Sequence, residues 1–417
     1  MSVDARSNRS IIGAFEAIDG SAITVHQERC AKVRNRNVSC LKCADACTSG
    51  CISLVDGQLV VDAAQCVGCG TCATVCPTCA LEARNPTDAM LLAQCLEHRE
   101  GNEVVIACAP LLDALAESEQ ATKLTALDSA ARVVCLGRVD ESLVAALVAQ
   151  GVQRVRCVCG SCEHCEQQHG LSTAHLVAKT VNGLMDAWGS SARMEVEALS
   201  TGSMPLGNAP IRTAAGSEAR AEAGTAAHAA THAATHAATD QEARTEAGQE
   251  THTTTDQASA NPSNNTAPMR VMKDGTLPHF LPDRRERLLN ALADLGQAQS
   301  EMLENRLWGS VVINGAKCVS CRMCATFCPT GALTKFDEAD GVIGINHYPA
   351  DCVKCASCRD ICPEDAIVLL DSVKASYVMD GQVHRYVMDP HAVELRNNPH
   401  QILQTMRQSF NGDIFER

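Results

Sequence analysis

Three short stretches of the chain carry four cysteines each at one shared spacing. They begin at Cys66, Cys318 and Cys352, and in each the cysteines are separated by two, two and three residues and followed by proline. Thiolates bind soft transition metals, so the stretches predict metal sites. Structural zinc usually holds two cysteine pairs separated by a longer loop. Four thiols within eleven residues instead favour polynuclear iron–sulfur clusters.

Both cysteine-rich blocks resemble bacterial ferredoxins that hold two [4Fe–4S] clusters. In that family each cluster takes three cysteines of one run and the fourth cysteine of the other run, and it transfers one electron at low potential. The resemblance implies such modules at residues 22–100 and 310–372. The four implied ligand sets are Cys66, Cys69, Cys72 and Cys47; Cys30, Cys40, Cys43 and Cys76; Cys318, Cys321, Cys324 and Cys362; and Cys352, Cys355, Cys358 and Cys328.

The first run of the N-terminal block departs from the regular spacing. Aligning Cys47 on Cys328 makes Cys47 the fourth cysteine of this run and places Asn37 where the first should be. Asparagine cannot ligate iron as a thiolate does. We therefore favour Cys30 as the replacement, offered on a longer basic loop that includes Arg34.

The alternative is a continuous run of looser spacing that ends at Cys51. We favour Cys30 because the alignment preserves a hairpin over residues 52–62. Cys51 then takes the place of Ala332, and Cys79 that of Gly331, so both act as small apolar side chains and not as ligands.

Residues 103–190 alternate short β-branched runs with helical segments, which predicts a small parallel sheet. The segment from Cys135 to Asp140 and the pair Cys157 and Cys162 resemble the iron–sulfur (delta) subunit of methyl-viologen-reducing hydrogenase. That resemblance implies a [2Fe–2S] cluster on Cys108, Cys135, Cys157 and Cys162. Cys159 and Cys165 are additional thiols, so a [4Fe–4S] cluster or a zinc site stays open.

The composition restricts the classes of protein that the chain can belong to. It has 417 residues, 25 cysteines and a net charge of −14. No apolar run is long enough to span a membrane, and no export signal is recognised, so we expect a soluble cytoplasmic protein that binds metal in a reducing compartment. The acidic charge disfavours nucleic acid and suits docking to basic surfaces of redox proteins.

We predict an α+β protein in which the two ferredoxin-like modules flank the small α/β domain. Residues 200–266 predict a disordered linker because they lack aliphatic periodicity. A connecting helical segment follows at 267–309, and a C-terminal extension occupies 373–417.

The sequence favours an electron-transfer protein over a catalytic subunit, because it contains no nucleotide-binding fingerprint and no P-loop. The resemblances imply a dehydrogenase or hydrogenase as the electron donor. The segment 277–285 is similar to accessory ferredoxins of formate dehydrogenases, so that enzyme is one expected partner. The alternative is an accessory factor in the maturation of a molybdenum formate dehydrogenase.

Overall fold

The computed structural model describes residues 22–117, 127–163, 165, 167–199 and 271–388. Short helices and strands are mixed along these residues, which confirms the predicted α+β content. The predicted linker at 200–266 and residues 389–417 of the predicted C-terminal extension lie outside the described residues. In the part of the chain that is described, no helix is both long and apolar enough to cross a membrane.

The N-terminal module consists of two antiparallel ladders and short helices. Its elements are β1 (Ile23–Val25), a 3₁₀ turn (Gln27–Arg29), α1 (Ala31–Arg34), α2 (Lys42–Asp45), β2 (Ile52–Val55), β3 (Gln58–Val61), α3 (Thr71–Val75) and β4 (Leu81–Ala83). β1 pairs with β4 and β2 pairs with β3. Asp56 and Gly57 join β2 to β3 with φ angles of 50° and 76°. A two-residue type I′ turn needs two such residues, so the predicted hairpin is formed.

A parallel sheet with the order β6-β5-β7-β8 forms the centre of the described chain. Its elements are α4 (Asp88–Glu97), β5 (Glu103–Cys108), α5 (Ala109–Glu117), β6 (Ala131–Val133), a 3₁₀ turn (Leu136–Arg138), α6 (Glu141–Ala149), β7 (Arg154–Cys159), α7 (His169–Ala187) and β8 (Arg193–Ala198). β5, β6 and β7 coincide with the β-branched runs of residues 103–190, whereas β8 extends past this range and was not predicted. Because the strands are parallel, their carboxyl ends meet at one edge of the sheet.

Helix α6 begins and ends where its sequence predicts. The carboxylate of Asp140 accepts hydrogen bonds from the backbone amides of Ser142 (2.8 Å) and Leu143 (3.2 Å). Such a cap satisfies amides that have no partner inside the helix. Gly151 follows the helix with a φ of 85°, a left-handed angle that suits glycine and terminates the helix.

The C-terminal module repeats the two-ladder plan and extends it. The connecting segment and this module contain α8 (Asp283–Asp294), β9 (Met302–Glu304), β10 (Ser310–Ile313), α9 (Met323–Thr326), β11 (Leu333–Asp337), β12 (Ile343–His347), a 3₁₀ turn (Pro349–Asp351), α10 (Ser357–Asp360), β13 (Ile367–Leu370), β14 (Ser372–Lys374), α11 (Ala375–Met379) and β15 (His384–Met388). β10 pairs with β13, β11 with β12, and β9 with β14. β15 adds a third strand beside β12, so this sheet continues past residue 372.

The largest apolar core surrounds the central sheet. Leu288 and Leu292 of α8 are buried in it. The indole nitrogen of Trp188 donates to the carbonyls of Leu292 and Gly296, both at 3.0 Å. The connecting helix is thereby fixed on the central domain, and it places the residues that follow it next to the cysteine runs.

Candidate metal centres

Each regular cysteine run bends its backbone in the same way. The second and fourth residues after its first cysteine have positive φ angles, between 51° and 75°. These residues are Gly68 and Gly70, Ser320 and Arg322, and Lys354 and Ala356. A helix then begins and carries the third cysteine of the run. Left-handed residues turn the chain tightly, and loops that hold a ligand often contain them. The bend directs the first three thiols of a run towards one interior.

Site A comprises the four cysteines of the first implied set, Cys47, Cys66, Cys69 and Cys72. Burial raises the pKa of the Cys72 thiol, and the neighbouring thiols, which include all three others of the set, raise it further. Cys72 is buried in the apolar cluster of this module, and Cys47 and Cys66 pack against the same cluster. Cys43 also acts on Cys72, so the next group of thiols lies close by.

Site B comprises Cys30, Cys40, Cys43 and Cys76. Burial raises the pKa of Cys30 to about 11, and the thiols of Cys76 and Cys40 add to the rise. Burial likewise raises the pKa of Cys43 to about 12, with contributions from Cys76 and Cys30. The structure therefore brings Cys30 to the set in which we expected it. The expected basic loop is partly a helix, because Cys30 directly precedes α1.

Cys51 faces site A and not site B. Its sulfur lies 3.5 Å from that of Cys47. Its backbone carbonyl accepts from Asp62 at 2.8 Å. The carbonyls of Ala80, Ala332 and Ala366 each accept a bond of the same length, from His26, Tyr348 and Asn314. The residues directly before these four, which are Gly50, Cys79, Gly331 and Asp365, all have positive φ. Cys51 therefore occupies the alanine position of a turn that recurs four times.

This turn also directs backbone amides at the sulfur atoms. The amide of Ala80 donates to the Cys76 sulfur, and that of Ala366 donates to the Cys362 sulfur, both at 3.3 Å. Hydrogen bonds of this kind stabilise negative charge on the ligand sulfur. They are among the features that set the reduction potential of an iron–sulfur cluster.

The C-terminal module contains two further groups. Site C comprises Cys328, Cys352, Cys355 and Cys358, and site D comprises Cys318, Cys321, Cys324 and Cys362. Burial, followed by the other three thiols of site C, raises the pKa of Cys358 well above its ordinary value. Burial and the other three thiols of site D do the same for Cys324. Cys321 is the one cysteine of the chain with an exposed side chain, so site D lies nearest the surface.

A fifth group, the central site, lies at the carboxyl edge of the parallel sheet. One small cavity is lined by the thiols of Cys108, Cys135, Cys159, Cys162 and Cys165. Cys108 ends β5, Cys159 ends β7 and Cys135 follows β6. A hydrogen bond from Cys159 lowers the pKa of Cys162 to about 7 and raises that of Cys159. Cys162 is therefore the thiol of this pair that ionises first.

Cys157 does not join the central site. The structure brings together Cys108, Cys135 and Cys162 of the predicted set, but it places Cys157 in mid-strand, beside Ile106 and Val196. There it is fully buried, and the neighbouring thiol that acts on it is Cys95. The signal was available in the sequence. Ligands collect at the carboxyl ends of parallel strands, and Cys159, not Cys157, ends β7.

The central site packs directly against site A. The 3₁₀ turn after Cys135 lies on helix α3, which carries Cys72, and the hydroxyl of Thr74 donates to the carbonyl of Arg138 at 3.2 Å. A Cβ added at Gly137 would collide with Thr71 of the same helix, so the two elements are in close contact. Burial raises the pKa of Cys135 to about 12, and the thiol of Cys69 adds to this rise.

Site B meets site C where the two modules pack together. We call this contact the B–C junction. Phe327 and Ile361 pack with Val38 and Ala31 in one apolar cluster, and Cys40 lies against it. Beside this cluster the carboxylate of Asp360 accepts from the amide (2.9 Å) and hydroxyl (2.6 Å) of Ser39.

Arg34 crosses the same junction. Its guanidinium donates to the carbonyls of Cys328 (3.1 Å), Phe327 (3.4 Å) and Pro278 (2.7 Å), and it is completely buried. Sequence reasoning placed this arginine on a basic loop and did not foresee its burial. Only the packing of two modules that are distant in sequence reveals it.

Two family models match the chain, one in each cysteine-rich block. Residues 300–367 match the 4Fe-4S dicluster domain, and residues 59–82 match the 4Fe-4S binding domain. The chain carries two ferredoxin-type 4Fe-4S domains. No curated protein and no solved structure matches it. The family matches confirm the ferredoxin resemblance at residues 59–82 and 300–367, without extending over the irregular first run, and they indicate iron–sulfur electron transfer.

The residues at the ferredoxin sites suit such clusters. The residues assigned to sites A to D are all cysteines, and soft sulfur donors select iron–sulfur clusters over hard cations. Backbone amides are directed at the ligand sulfurs of Cys76 and Cys362. Among the described residues, no three cysteine, histidine or acidic side chains converge tightly enough to hold a single metal ion.

Proposed function

We propose that the protein carries electrons singly between two redox proteins along a row of five iron–sulfur sites. The row begins at the central site, continues through sites A, B and C, and ends at site D. The observation that supports it most strongly is the B–C junction. Without this contact, two modules separated by more than 200 residues would be independent carriers.

Packing supports each step of the proposed row. The central site lies on helix α3 of site A through the turn after Cys135. Sites A and B share one apolar interior, in which Cys72 and Cys43 are both buried. Sites C and D share another, which contains Cys358 and Cys324. Neighbouring sites are thus joined by packed protein.

The two ends of the row are the proposed docking points. At site D the side chain of Cys321 is exposed, and at the central site Cys162 and Cys165 are partly exposed, as are some cysteines of sites A, B and C. Electrons enter and leave most readily where a ligand reaches the surface. The net charge of −14 suits partners with basic docking surfaces. A hydrogenase or formate dehydrogenase is the partner that the sequence resemblances favour.

When bound, four [4Fe–4S] clusters and one [2Fe–2S] cluster would supply the one-electron chemistry. The chain supplies the cysteine ligands, fixes the order of the sites in the row and forms the protein environment of each site. For the central [2Fe–2S] cluster we propose Cys108, Cys135, Cys159 and Cys162 as ligands, with Cys159 in place of Cys157. These four line the cavity at the sheet edge.

Iron, acid-labile sulfide and electron uptake per chain test this proposal. Anaerobically purified full-length protein should contain about 18 iron atoms and a similar number of sulfides, as four cubes and one two-iron cluster require. A reductive titration should show the uptake of about five electrons per chain. Stoichiometric zinc with little iron, or full iron content with no reversible electron uptake, would contradict the proposal.

A further inference from the structure

Two buried arginines near site C donate hydrogen bonds only to backbone carbonyls. Arg34 donates to Cys328, Phe327 and Pro278 across the B–C junction, and to the carbonyl of Glu28 at 3.0 Å. None of these acceptors carries a formal charge. The guanidinium is therefore neutralised by no carboxylate at ion-pair distance among the described residues.

Arg285 approaches site C from the opposite direction. It donates to the carbonyls of Leu307 and, at 3.3 Å, Cys352, and its carbon Cζ lies 4.7 Å from the centre of the Trp308 ring. Its Nη1 atom is buried without a hydrogen-bond partner. The carboxylates of Asp351 and Glu141 act on it from beyond ion-pair distance, and Glu141 is already paired with Arg306.

The carbonyls at the centre of both contacts belong to cysteines of the same site. Arg34 binds the carbonyl of Cys328 and Arg285 binds that of Cys352, and both cysteines belong to site C. Arg138 provides a contrast, because it is equally buried but is paired with Asp88. An unpaired buried charge is costly, so two such charges beside one site imply a negative counter-charge there.

We propose that Arg34 and Arg285 are the counter-charges of the cluster held at site C, and that they make site C the first site of the row to be reduced. This inference rests on the proposed function. Four thiolates and an iron–sulfur core together carry net negative charge, which becomes larger by one on reduction. Two nearby positive charges therefore stabilise the reduced state more than the oxidised state.

Burial alone acts in the opposite direction, because it penalises the more highly charged reduced state. The same burial, however, lowers the solvent screening of Arg34, which is completely buried, and of Arg285, which is 6% exposed and lines a cavity of about 640 Å³. At site D, where Cys321 is exposed, solvent screens neighbouring charges. Site C thus combines low screening with two positive charges that no carboxylate of the described residues pairs at ion-pair distance. An electron within the row is therefore most stable at site C.

Redox titration followed by EPR tests the inference, using full-length anaerobic protein and the variants Arg34→Gln and Arg285→Gln. The site C signal is identified as the one that is lost in Cys355→Ser. In wild type it should be the first to appear on reduction. In each glutamine variant its reduced-to-oxidised ratio at a fixed potential should fall about tenfold, which equals 59 mV for one electron.

Lysine variants separate charge from packing. Arg34→Lys and Arg285→Lys keep the charge and should retain most of the wild-type potential. Arg132→Gln, which removes an exposed arginine paired with Asp113 at 2.8 Å, should change nothing. If the glutamine variants lose site C iron while the lysine variants keep it, the charge holds the cluster and the inference stands.

An unchanged site C potential in both iron-replete glutamine variants would overturn the inference. So would lysine variants that behave like the glutamine variants, or a wild-type protein in which another site is reduced first. These outcomes leave the proposed electron-transfer function intact. Wild-type protein that contains no clusters would instead refute the proposed function itself.

Discussion

Replacing Cys30 by serine is expected to remove the cluster of site B, with a loss of about four iron atoms per chain. Cys30 is buried beside Cys40, Cys43 and Cys76, and its thiol is the first ligand of an otherwise incomplete set. Serine is a poor ligand for iron in place of a thiolate. The measurement is iron content together with the reduced-state EPR spectrum, in which the signal of one cube should be absent.

Cys51→Ala is the matched control. Cys51 is also buried next to cysteine ligands, but it occupies the position that alanine holds at Ala80, Ala332 and Ala366. We expect full iron content and an unchanged EPR spectrum. The opposite pattern, with loss of a cube in Cys51→Ala and none in Cys30→Ser, would favour the continuous run from Cys40 to Cys51.

Replacing Cys159 by serine is expected to abolish the EPR signal of the central cluster, whereas Cys157→Ala should leave it unchanged. Cys159 lines the cavity at the sheet edge with the other candidate ligands. Cys157 lies in mid-strand and is fully buried, so removing its sulfur leaves a small cavity and costs about 1 kcal/mol of stability. The two substituted cysteines lie two residues apart on one strand, so Cys157→Ala is a matched control for Cys159→Ser.

Iron content and thermal unfolding should be measured on both variants. Cys159→Ser should lose about two iron atoms while sites A to D keep theirs. Cys157→Ala should lose none and unfold at a slightly lower temperature. If Cys157→Ala instead strips the central cluster, the ligand set implied by the hydrogenase resemblance is right and the revised set is wrong.

The sequence identified the cysteine runs because their ligands are contiguous and their spacing leaves few alternatives. It also predicts Cys30 as a ligand, although Cys30 is outside any regular run, because counting back from the hairpin over 52–62 leaves a vacancy at Asn37. In both cases the information is local. The turn that carries Cys51 could be recognised for the same reason, since its pattern recurs along the chain.

Two of the features that the sequence-based predictions missed are local, and one depends on contacts between distant segments. Cys157 and Cys159 lie two residues apart on one strand, and the position of the end of β7 distinguishes them. β8 was missed because its charged residues, Glu195 and Glu197, do not resemble a buried strand. Burial of Arg34 depends on a module almost 300 residues away, and no pattern around Arg34 indicates it.

The proposed row depends most on the contact between sites B and C. Magnetic coupling between reduced clusters tests this contact most directly. Two unpaired spins that lie close together broaden each other's EPR signals. We compare fully reduced wild-type protein with Cys43→Ser, which should lack the site B cluster, and with Cys321→Ser, which should lack the site D cluster.

The row predicts that losing site B sharpens the signals of sites A and C and leaves site D unchanged. Losing site D should sharpen site C alone. A site C signal with the same width in the presence and absence of the site B cluster would contradict the account, because it would show that the two modules carry electrons separately.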